Sequence, residues 1–499
     1  MRKRGMLLAL TASLGAILGT GLSASASTSP SAGHTALIQR IVRAASGLDA
    51  TGNATSAGQA GRATRELGEL NLAGGLNADV WAYKNIVYVG TWSGPCPGTG
   101  VKIIDASNPA QPHQIATAAG YPNTSAEDMQ VLSVHTAAFT GDLLGVGLQD
   151  CGLPNQPPGL TGLDLWDVTD PTHPSHLGFY DVGPSGGVHE LSLTKRTIAG
   201  QERVFALAAV PFAEVFSTAF TPTPRGDFQL IDVTDPHNPT LADDWGAGKD
   251  GDLPFGATFF ADFGLPPPFD CTPPPGQEPT CRGGFAAAFA HSATPSADGK
   301  TAYVAYWDDG AIVLDISNPN DITMVGRTPY PAESEGDTHS AVPNETSSLL
   351  ITTDEDFSPT DRKAVDEPKL PGDTWGFARI WSLADPAHPT HLSDFATPHA
   401  LTNKTDGFYA VHNPEVRGTS LYLSWYSDGL RIVDISNPAA PQEVGFFREQ
   451  PTLDPTGYFG PNFGAGGHPI PFDWGVHVVG DRIYLSDINF GLYIVTRTK

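Results

Sequence analysis

Five histidines occupy the same place in a repeated sequence pattern, and imidazoles in that number can bind a metal ion. Each stands at the start of a short apolar segment: GGVHELS, FAHSATP, DTHSAVP, YAVHNPE and WGVHVVG. The five residues are His189, His291, His339, His412 and His477. Imidazole nitrogen suits copper, iron and zinc. The pattern therefore predicts one transition metal ion held by three or four of these side chains, if the fold brings them together.

A structural interpretation of the same histidines is also open. Repeats copy structural residues, so each imidazole could fix the loop before its strand through a hydrogen bond. The sequence has no H-x-H or C-x-x-C spacing that would favour a metal. Asp79 and Asp128 hold the corresponding place in the first two copies. The metal hypothesis consequently depends on the predicted fold.

Repeats that begin with glycine are the elements that must position the histidines. The clearest copy is GLRIVDISNPAAPQEVGFF, from Gly429 to Phe447. Related copies begin at Gly100, Gly162, Gly226, Gly310, Gly376 and Gly491. The Val/Ile/Leu-rich run favours a strand, and the Asn-Pro turn ends it because proline fixes φ and removes a donor. Another strand precedes each glycine, so each repeat is predicted to be a four-stranded antiparallel unit that stacks on its neighbours.

Circular stacking of such units protects their edges, which predicts an all-β fold, a seven-bladed β-propeller of four-stranded antiparallel blades. The last copy ends at Lys499, one strand short of a complete unit. RELGELNL, from Arg65 to Leu72, has no partner of its own. We expect this N-terminal strand to close the last blade. The innermost strands would then line a central channel, and the five histidines would converge at its mouth.

The chain divides into three predicted segments. Residues 1–26 are predicted to be a Sec-type secretory signal peptide, because a basic start and an apolar run precede an A-x-A site at Ala24–Ala26. Residues 27–63 are predicted to be an Ala/Ser/Gly-rich linker, and residues 64–499 the propeller. We therefore expect a secreted, extracellular protein with no membrane span. The net charge of −26 argues against nucleic acid as a partner.

Four cysteines in an exported chain predict two disulfides. Cys96 and Cys151 lie in equivalent loops of neighbouring predicted blades, so we expect them to pair. Cys271 and Cys281 bracket the segment CTPPPGQEPTC and form the second predicted pair. Both bonds would be structural.

The segments GLRIVDISNP and GAIVLDISNP resemble the LVIVD-repeat family of exported bacterial and archaeal proteins. The resemblance covers residues 64 to 499 and implies a β-propeller, but no general activity. A more distant similarity, limited to the position of the five histidines, is to selenium-binding, methanethiol-oxidase-type propellers and to carotenoid-cleaving oxygenases. Those families use histidines at the channel mouth to bind copper or iron.

Two functions are expected from these patterns. The first is a secreted binding or interaction module that we expect to be a monomer. It would present a small-molecule, glycan or protein site at the channel mouth, on the long-loop face. That face is formed by the loops at residues 93–100, 150–162, 211–226, 246–290, 355–376 and 450–473. Function commonly lies on loops held by a rigid scaffold. The alternative is a metal-dependent oxidoreductase that uses copper, iron or zinc at the histidines. The sequence leaves open whether any reaction is catalysed.

Overall fold

The computed structural model describes residues 61–92, 98–151, 157–257, 287–329, 336–356, 374–401, 407–449 and 471–498. The predicted signal peptide, nearly all of the predicted linker, and Cys96, Cys271 and Cys281 lie outside these residues, as does much of the predicted long-loop face. Secretion, both disulfide pairings and a ligand site on that face therefore stay predictions. Cys151 is described and buried.

Antiparallel four-stranded units make up most of the described chain. Two N-terminal strands come first, β1 (Gly61–Arg62) and β2 (Thr64–Asn71). Unit 1 contains β3 (Asn77–Tyr83), β4 (Ile86–Thr91), β5 (Val101–Asp105) and β6 (His113–Ala118). Unit 2 contains β7 (Thr124–His135), β8 (Thr140–Asp150), β9 (Gly162–Asp167) and β10 (Ser175–Tyr180). Unit 3 contains β11 (Leu191–Ile198), β12 (Gln201–Ala209), β13 (Phe228–Asp232) and β14 (Thr240–Trp245).

The remaining units repeat this order. A two-stranded sheet, β15 (Gly256–Ala257) and β16 (Ala287–Ala288), precedes unit 4. Unit 4 contains β17 (Ser292–Pro295), β18 (Thr301–Ala305), β19 (Ala311–Asp315) and β20 (Thr323–Arg327). Unit 5 contains β21 (Thr338–Pro343), β22 (Leu349–Asp354), β23 (Ala378–Ser382) and β24 (Thr390–Phe395). Unit 6 contains β25 (Pro414–Arg417), β26 (Ser420–Trp425), β27 (Gly429–Asp434) and β28 (Gln442–Phe447). Unit 7 contains β29 (Asp473–Val479), β30 (Arg482–Asp487) and β31 (Gly491–Arg497).

Both N-terminal strands join units from the other end of the chain. Strand β2 pairs antiparallel with β31, which gives unit 7 the order β2-β31-β30-β29. Strand β1, which lies within the predicted linker, pairs with β28 of unit 6. Unit 7 also touches unit 1, since the backbone N–H of Asn77 donates to the carbonyl of Ile488 at 3.0 Å.

Helices are short in this β-rich chain. Helix α1 (Ala213–Phe220) lies between β12 and β13, and α2 (Ala247–Asp250) follows β14. Within the described residues, no helix has the length and apolar character needed to cross a bilayer.

The hydrophobic core lies between neighbouring units. Leu207 and Leu230 of unit 3, for example, pack in one cluster with Val304 and Ile312 of unit 4, and all four are fully buried. Burying one such side chain is worth about 1.5–3 kcal/mol. A single unit has too little apolar surface of its own, so the units stabilise one another by stacking.

A glycine in the fourth strand sets how closely adjacent units approach. A Cβ atom on Gly178 would lie 2.3 Å from the carbonyl oxygen of Pro236, in the turn of the next unit. The same placement on Gly326 would be 2.4 Å from the oxygen of Ala387. The register of β10 against β9 shifts at Gly178, so the glycine also marks a bulge. The recurring glycine in this strand is therefore explained by close backbone contact between units.

Candidate metal centre

Four of the five predicted histidines lie together, with their rings in series. The ring centroids are 4.2 Å apart for His189 and His291, 4.0 Å for His291 and His339, and 4.0 Å for His339 and His412. Units 3 to 6 contribute one histidine each, at or just before the first strand of the unit. The last three are buried, and His189 is 15% exposed. We call these residues the four-histidine cluster.

The hydrogen bonds of two rings fix their tautomers. The Nδ1–H of His412 donates to the carbonyl oxygen of Trp474 at 2.6 Å. His339 Nδ1 is 2.8 Å from Ser340 Oγ, and that hydroxyl donates its own proton to Asn413 Oδ1. His339 must then donate from Nδ1 as well. Both neutral rings consequently keep a lone pair on Nε2, the nitrogen that metal-bound histidines commonly use when Nδ1 is held in this way.

His189 is held in a comparable way at the other end of the cluster. Its Nδ1 lies 3.1 Å from Gln149 Oε1 and 2.9 Å from Glu127 Oε2. Its Nε2 lies 2.8 Å from Nε2 of His291. At that distance the two nitrogens share either one proton or a common cation, because two facing lone pairs repel.

Two glutamates stand between the remaining imidazoles. Glu190 Oε1 is 3.7 Å from His291 Nδ1 and 3.8 Å from His339 Nε2. Glu355 Oε2 is 3.7 Å from His339 Nε2, and its Oε1 is 3.9 Å from His412 Nε2. In each group of one glutamate and two histidines, three ligand atoms lie within 4.8 Å of one another. These separations exceed those of hydrogen bonds, and nitrogen and oxygen donors surround a shared space.

Burial shifts the protonation of these groups. It lowers the pKa of His291 and of His339 well below the usual value, and neighbouring imidazole charges add to that effect. Burial also lowers the pKa of His412, to about 3. It raises the pKa of Glu190 and of Glu355 well above the usual range, although the Tyr426 hydroxyl partly offsets the rise at Glu355. The buried imidazoles are therefore neutral at pH 7, as metal ligands must be.

His477 lies apart from the four-histidine cluster. Its ring stacks on Trp81 at a centroid distance of 3.9 Å, and its Nδ1 is 3.0 Å from Glu415 Oε2. The place in unit 7 that corresponds to the cluster belongs instead to Trp474, whose ring is 4.4 Å from that of His412. The structure thus brings His477 to a different position from the one expected.

Strand register explains this difference. In unit 5, Thr338 is opposite Asp354 and Ser340 is opposite Thr353, so His339 is the extra residue of a bulge. In unit 7, Asp473 is opposite Asp487 and Gly475 is opposite Ser486, which makes Trp474 the bulged residue. Aligning the repeats by their histidines assigned the cluster position of unit 7 to His477. The residue at that position is Trp474, three residues earlier in the same strand.

A central cavity of about 400 Å³ lies beside the four-histidine cluster, and none of the four cluster imidazoles lines it. Its lining includes residues that directly follow cluster histidines in the chain: Glu190, Ser292, Ser340 and Asn413. Asp79 and Asp128 also line it, as do Trp81 and His477. Asp79 accepts a hydrogen bond from the Asn413 amide at 2.5 Å. Glu190 lines this cavity and also lies between His291 and His339, so it is the point at which the cavity adjoins the four-histidine cluster.

Aromatic side chains flank the four-histidine cluster. Trp307 stacks near His291 at 5.4 Å and on Phe289 at 4.9 Å. Tyr426 lies 5.0 Å from His412 on the other side. Apolar walls of this kind limit water and lower the local dielectric around a site.

Sequence reasoning missed Glu127, Glu190 and Trp474. The signals were present but weak: Glu190 directly follows His189, and Glu127 directly precedes Asp128. Two further histidines, His399 and His468, are weaker candidates from the sequence because they lie on loops. His399 bonds Asp428 at 2.6 Å, and His468 lies outside the described residues.

Comparison with known proteins supports the repeat family. Residues 74–117, 296–328 and 415–448 match the family model of the LVIVD repeat. The chain carries LVIVD repeats. The matched segments fall on units 1, 4 and 6, so the predicted resemblance is confirmed there. The similarity to selenium-binding and carotenoid-cleaving propellers stays a prediction. No curated protein matches the chain.

Solved structures similar to this propeller include two with low sequence identity. The computationally designed protein Ika8 is 9% identical with a TM-score of 0.45, over 86% of this chain and 99% of that one. The β-propeller domain of Cps50 (Swd1) from Myceliophteria thermophila is 10% identical with a TM-score of 0.46, over 87% and 100%.

Proposed function

We propose that this β-propeller binds one transition metal ion, copper, iron or zinc, at the four-histidine cluster. The observation that carries the proposal is the convergence of four imidazoles from consecutive units, two of which have Nε2 atoms 3.7 Å and 3.9 Å from the buried carboxyl group of Glu355. Imidazole nitrogen suits all three metals, and the groups on Nδ1 would orient the rings.

The spacing of the nitrogens fits a shared ion. Two nitrogens that each lie about 2.1 Å from one ion, at an angle of about 90°, are about 3 Å apart. His189 Nε2 and His291 Nε2 are 2.8 Å apart. A hydrogen bond between two neutral rings would also account for that single distance. It would not account for His339 and His412, whose Nε2 atoms face Glu355 from beyond hydrogen-bonding range.

The surrounding charge also favours a cation. Asp79, Glu127, Glu190 and Glu355 are buried around the four histidines. Burying several carboxylates without a counter-charge is costly, which is why burial raises the pKa of Glu190 and Glu355. A divalent ion would replace their protons and supply the missing counter-charge. Among the described residues, no arginine or lysine forms an ion pair with these four side chains.

Small-molecule chemistry at the metal is the function that this site supports best. A bound copper or iron ion would supply redox chemistry, and zinc would supply Lewis acidity. The chain's own residues would hold the rings through Nδ1 and exclude water with Trp307 and Trp474. The central cavity would admit the substrate. We therefore favour the metal-dependent oxidoreductase over a metal-free interaction module.

We further infer that seven blades close into a ring through β2. Support comes from the pairing of β2 with β31 and from the contact of unit 7 with unit 1. A Cβ on Gly68 in β2 would lie 2.1 Å from the oxygen of Pro109 in unit 1, which repeats the contact made by Gly178. A closed ring would hold the cluster histidines in fixed relative positions.

Metal analysis of protein purified without a histidine tag tests the metal proposal. We expect about one equivalent of copper, iron or zinc after dialysis, and loss of most of it in the variant His339→Ala/His412→Ala. Glu355→Gln should weaken metal affinity by about 10–100-fold, as loss of an outer carboxylate commonly does. His388→Ala is the matched control, because that exposed ring pairs only with Asp385 in its own turn. Folded wild-type protein that binds none of the three metals would overturn the proposal, as would full retention by the double variant.

A further inference from the structure

A second group of buried carboxylates lies at the junction of units 6 and 7. Glu449 follows β28, Asp473 begins β29 and Asp487 ends β30. One carboxylate oxygen from each lies within 4.8 Å of the others. Glu449 is 2% exposed, and both aspartates are fully buried. None of the three belongs to the four-histidine cluster.

Most of these oxygens lack a hydrogen-bond donor within the described part of the chain. Both carboxylate oxygens of Glu449 and both of Asp473 are buried without a donor. Asp487 is anchored differently, because both of its oxygens have donors. Its Oδ1 accepts from the backbone N–H of Asn489 at 2.7 Å and of Phe490 at 2.8 Å, and its Oδ2 accepts from the backbone N–H of Phe472 at 2.5 Å. No described arginine or lysine forms an ion pair with any of the three. The group therefore brings four carboxylate oxygens without a donor to one buried junction.

Unit 5 shows how the repeat satisfies the corresponding acid. Asp354 and Asp487 are the last residues of the second strands of units 5 and 7. These strands begin at Leu349 and Arg482, and each of these two residues pairs with the third strand of its unit at the equivalent position. In unit 5, Arg379 Nε bonds Asp354 Oδ2 at 2.8 Å.

Unit 7 lacks that base. In unit 5, Ser382 pairs with Leu349, and Arg379 lies three residues before Ser382. In unit 7, Thr496 pairs with Arg482, and the residue three positions before Thr496 is Tyr493. Arg431 holds the position in unit 6 and lies 3.4 Å from Asp428. A neutral phenol has therefore replaced the basic side chain where three acids meet.

We propose that Glu449, Asp473 and Asp487 bind one divalent cation of the calcium class. All the ligand atoms are carboxylate oxygens, which hard cations prefer over softer transition metals. Calcium accepts bidentate carboxylates in irregular geometry, whereas magnesium usually keeps several waters, for which a buried site leaves little room. The ion would tie unit 6, which carries β1, to unit 7, which carries β2.

The protonation of the group agrees with this assignment. Burial raises the pKa of Glu449 and of Asp487 well above the usual range, and it raises that of Asp473 to about 8. A bound divalent charge reverses this effect and keeps the carboxylates ionised.

Calcium binding by the full chain tests the assignment. We expect one bound calcium by equilibrium dialysis, and a higher midpoint of thermal unfolding in calcium than in EDTA at equal ionic strength. Glu449→Gln/Asp473→Asn should lose both effects. The matched control Glu214→Gln/Asp227→Asn should keep them, because that buried acid pair accepts backbone N–H donors.

A second variant guards against misfolding of the first. Tyr493→Arg installs the base that unit 5 carries, and it should fold while losing the calcium response. His339→Ala/His412→Ala should keep the response, which separates this site from the four-histidine cluster. Absence of calcium binding by the wild type would overturn the proposal, and so would an unchanged calcium response in folded Glu449→Gln/Asp473→Asn or Tyr493→Arg protein.

Discussion

Replacing Arg379 by methionine should reduce the free energy of unfolding by roughly 3–5 kcal/mol. Arg379 is 1% exposed, bonds Asp354 at 2.8 Å and lies 3.6 Å from Asp394. Methionine fills a similar volume, so most apolar contacts of the side chain persist. The buried positive charge beside Asp354 and Asp394 is lost, while His391 still contacts Asp394 at 2.6 Å. Losing a buried counter-charge is what makes breaking such a pair costly.

The loss of unfolding free energy can be measured as a decrease in the midpoint of thermal unfolding, Tm. Unfolding entropy is about 2.1 cal/mol/K per residue, so a cooperative unit of roughly 400 residues has about 0.8 kcal/mol/K. A loss of 3–5 kcal/mol then lowers Tm by about 4–6 °C. Arg417→Met is the control, since that ion pair with Glu415 is half-exposed and is worth less than about 1 kcal/mol.

A double-mutant cycle completes the test. Adding Asp354→Asn to the Arg379→Met variant should recover part of the lost stability, because the substitution removes one of the two buried carboxylates that Arg379 contacts. The electrostatic reasoning fails if Arg379→Met unfolds at the same Tm as Arg417→Met, or if Asp354→Asn adds a further full loss.

Two further predictions concern other buried contacts. Burial alone would raise the pKa of Asp428, but the charge of Arg431 and a hydrogen bond from His399 lower it from 3.8 to about 2. The folded-state pKa is below the unfolded one, so roughly 2 kcal/mol of stability is present above about pH 4 and is lost as the pH falls toward 2. Urea midpoints should therefore fall more steeply with acid in the wild type than in Asp428→Asn, and parallel slopes would contradict this. Gly178→Ala should cost about 1–3 kcal/mol, because its Cβ would meet the Pro236 oxygen at 2.3 Å. Gly445→Ala, where the nearest atom is 3.1 Å away, should cost less, and the reverse order in urea denaturation would refute the close-contact explanation.

The parts of the fold that could be predicted are those that depend on residues close together in the sequence. Each glycine-opened run and its Asp-Pro or Asn-Pro turn contain their own strand and stop signals, so the four-stranded units followed from the sequence. The same applies to His189, His291, His339 and His412, because each lies within two residues of the start of its unit's first strand.

Strand register and the contacts at unit junctions could not be predicted, whereas the pairing of β2 with β31 was expected from the sequence. The position of a bulge determines whether Trp474 or His477 faces the four-histidine cluster, and no residue type in this segment predicts that bulge. The junction of Glu449, Asp473 and Asp487 depends on strands from two units and on the replacement of a base by Tyr493. These relations appear only once the strands are paired.

Anomalous X-ray diffraction from metal-loaded crystals, recorded on both sides of the metal's absorption edge, is the most direct test of the proposed metal centre. We expect one strong anomalous peak whose nearest protein atoms are imidazole nitrogens of the four-histidine cluster. Crystals of protein that carries a full equivalent of metal, but whose peak lies on exposed histidines such as His173 or His388, would contradict the proposal.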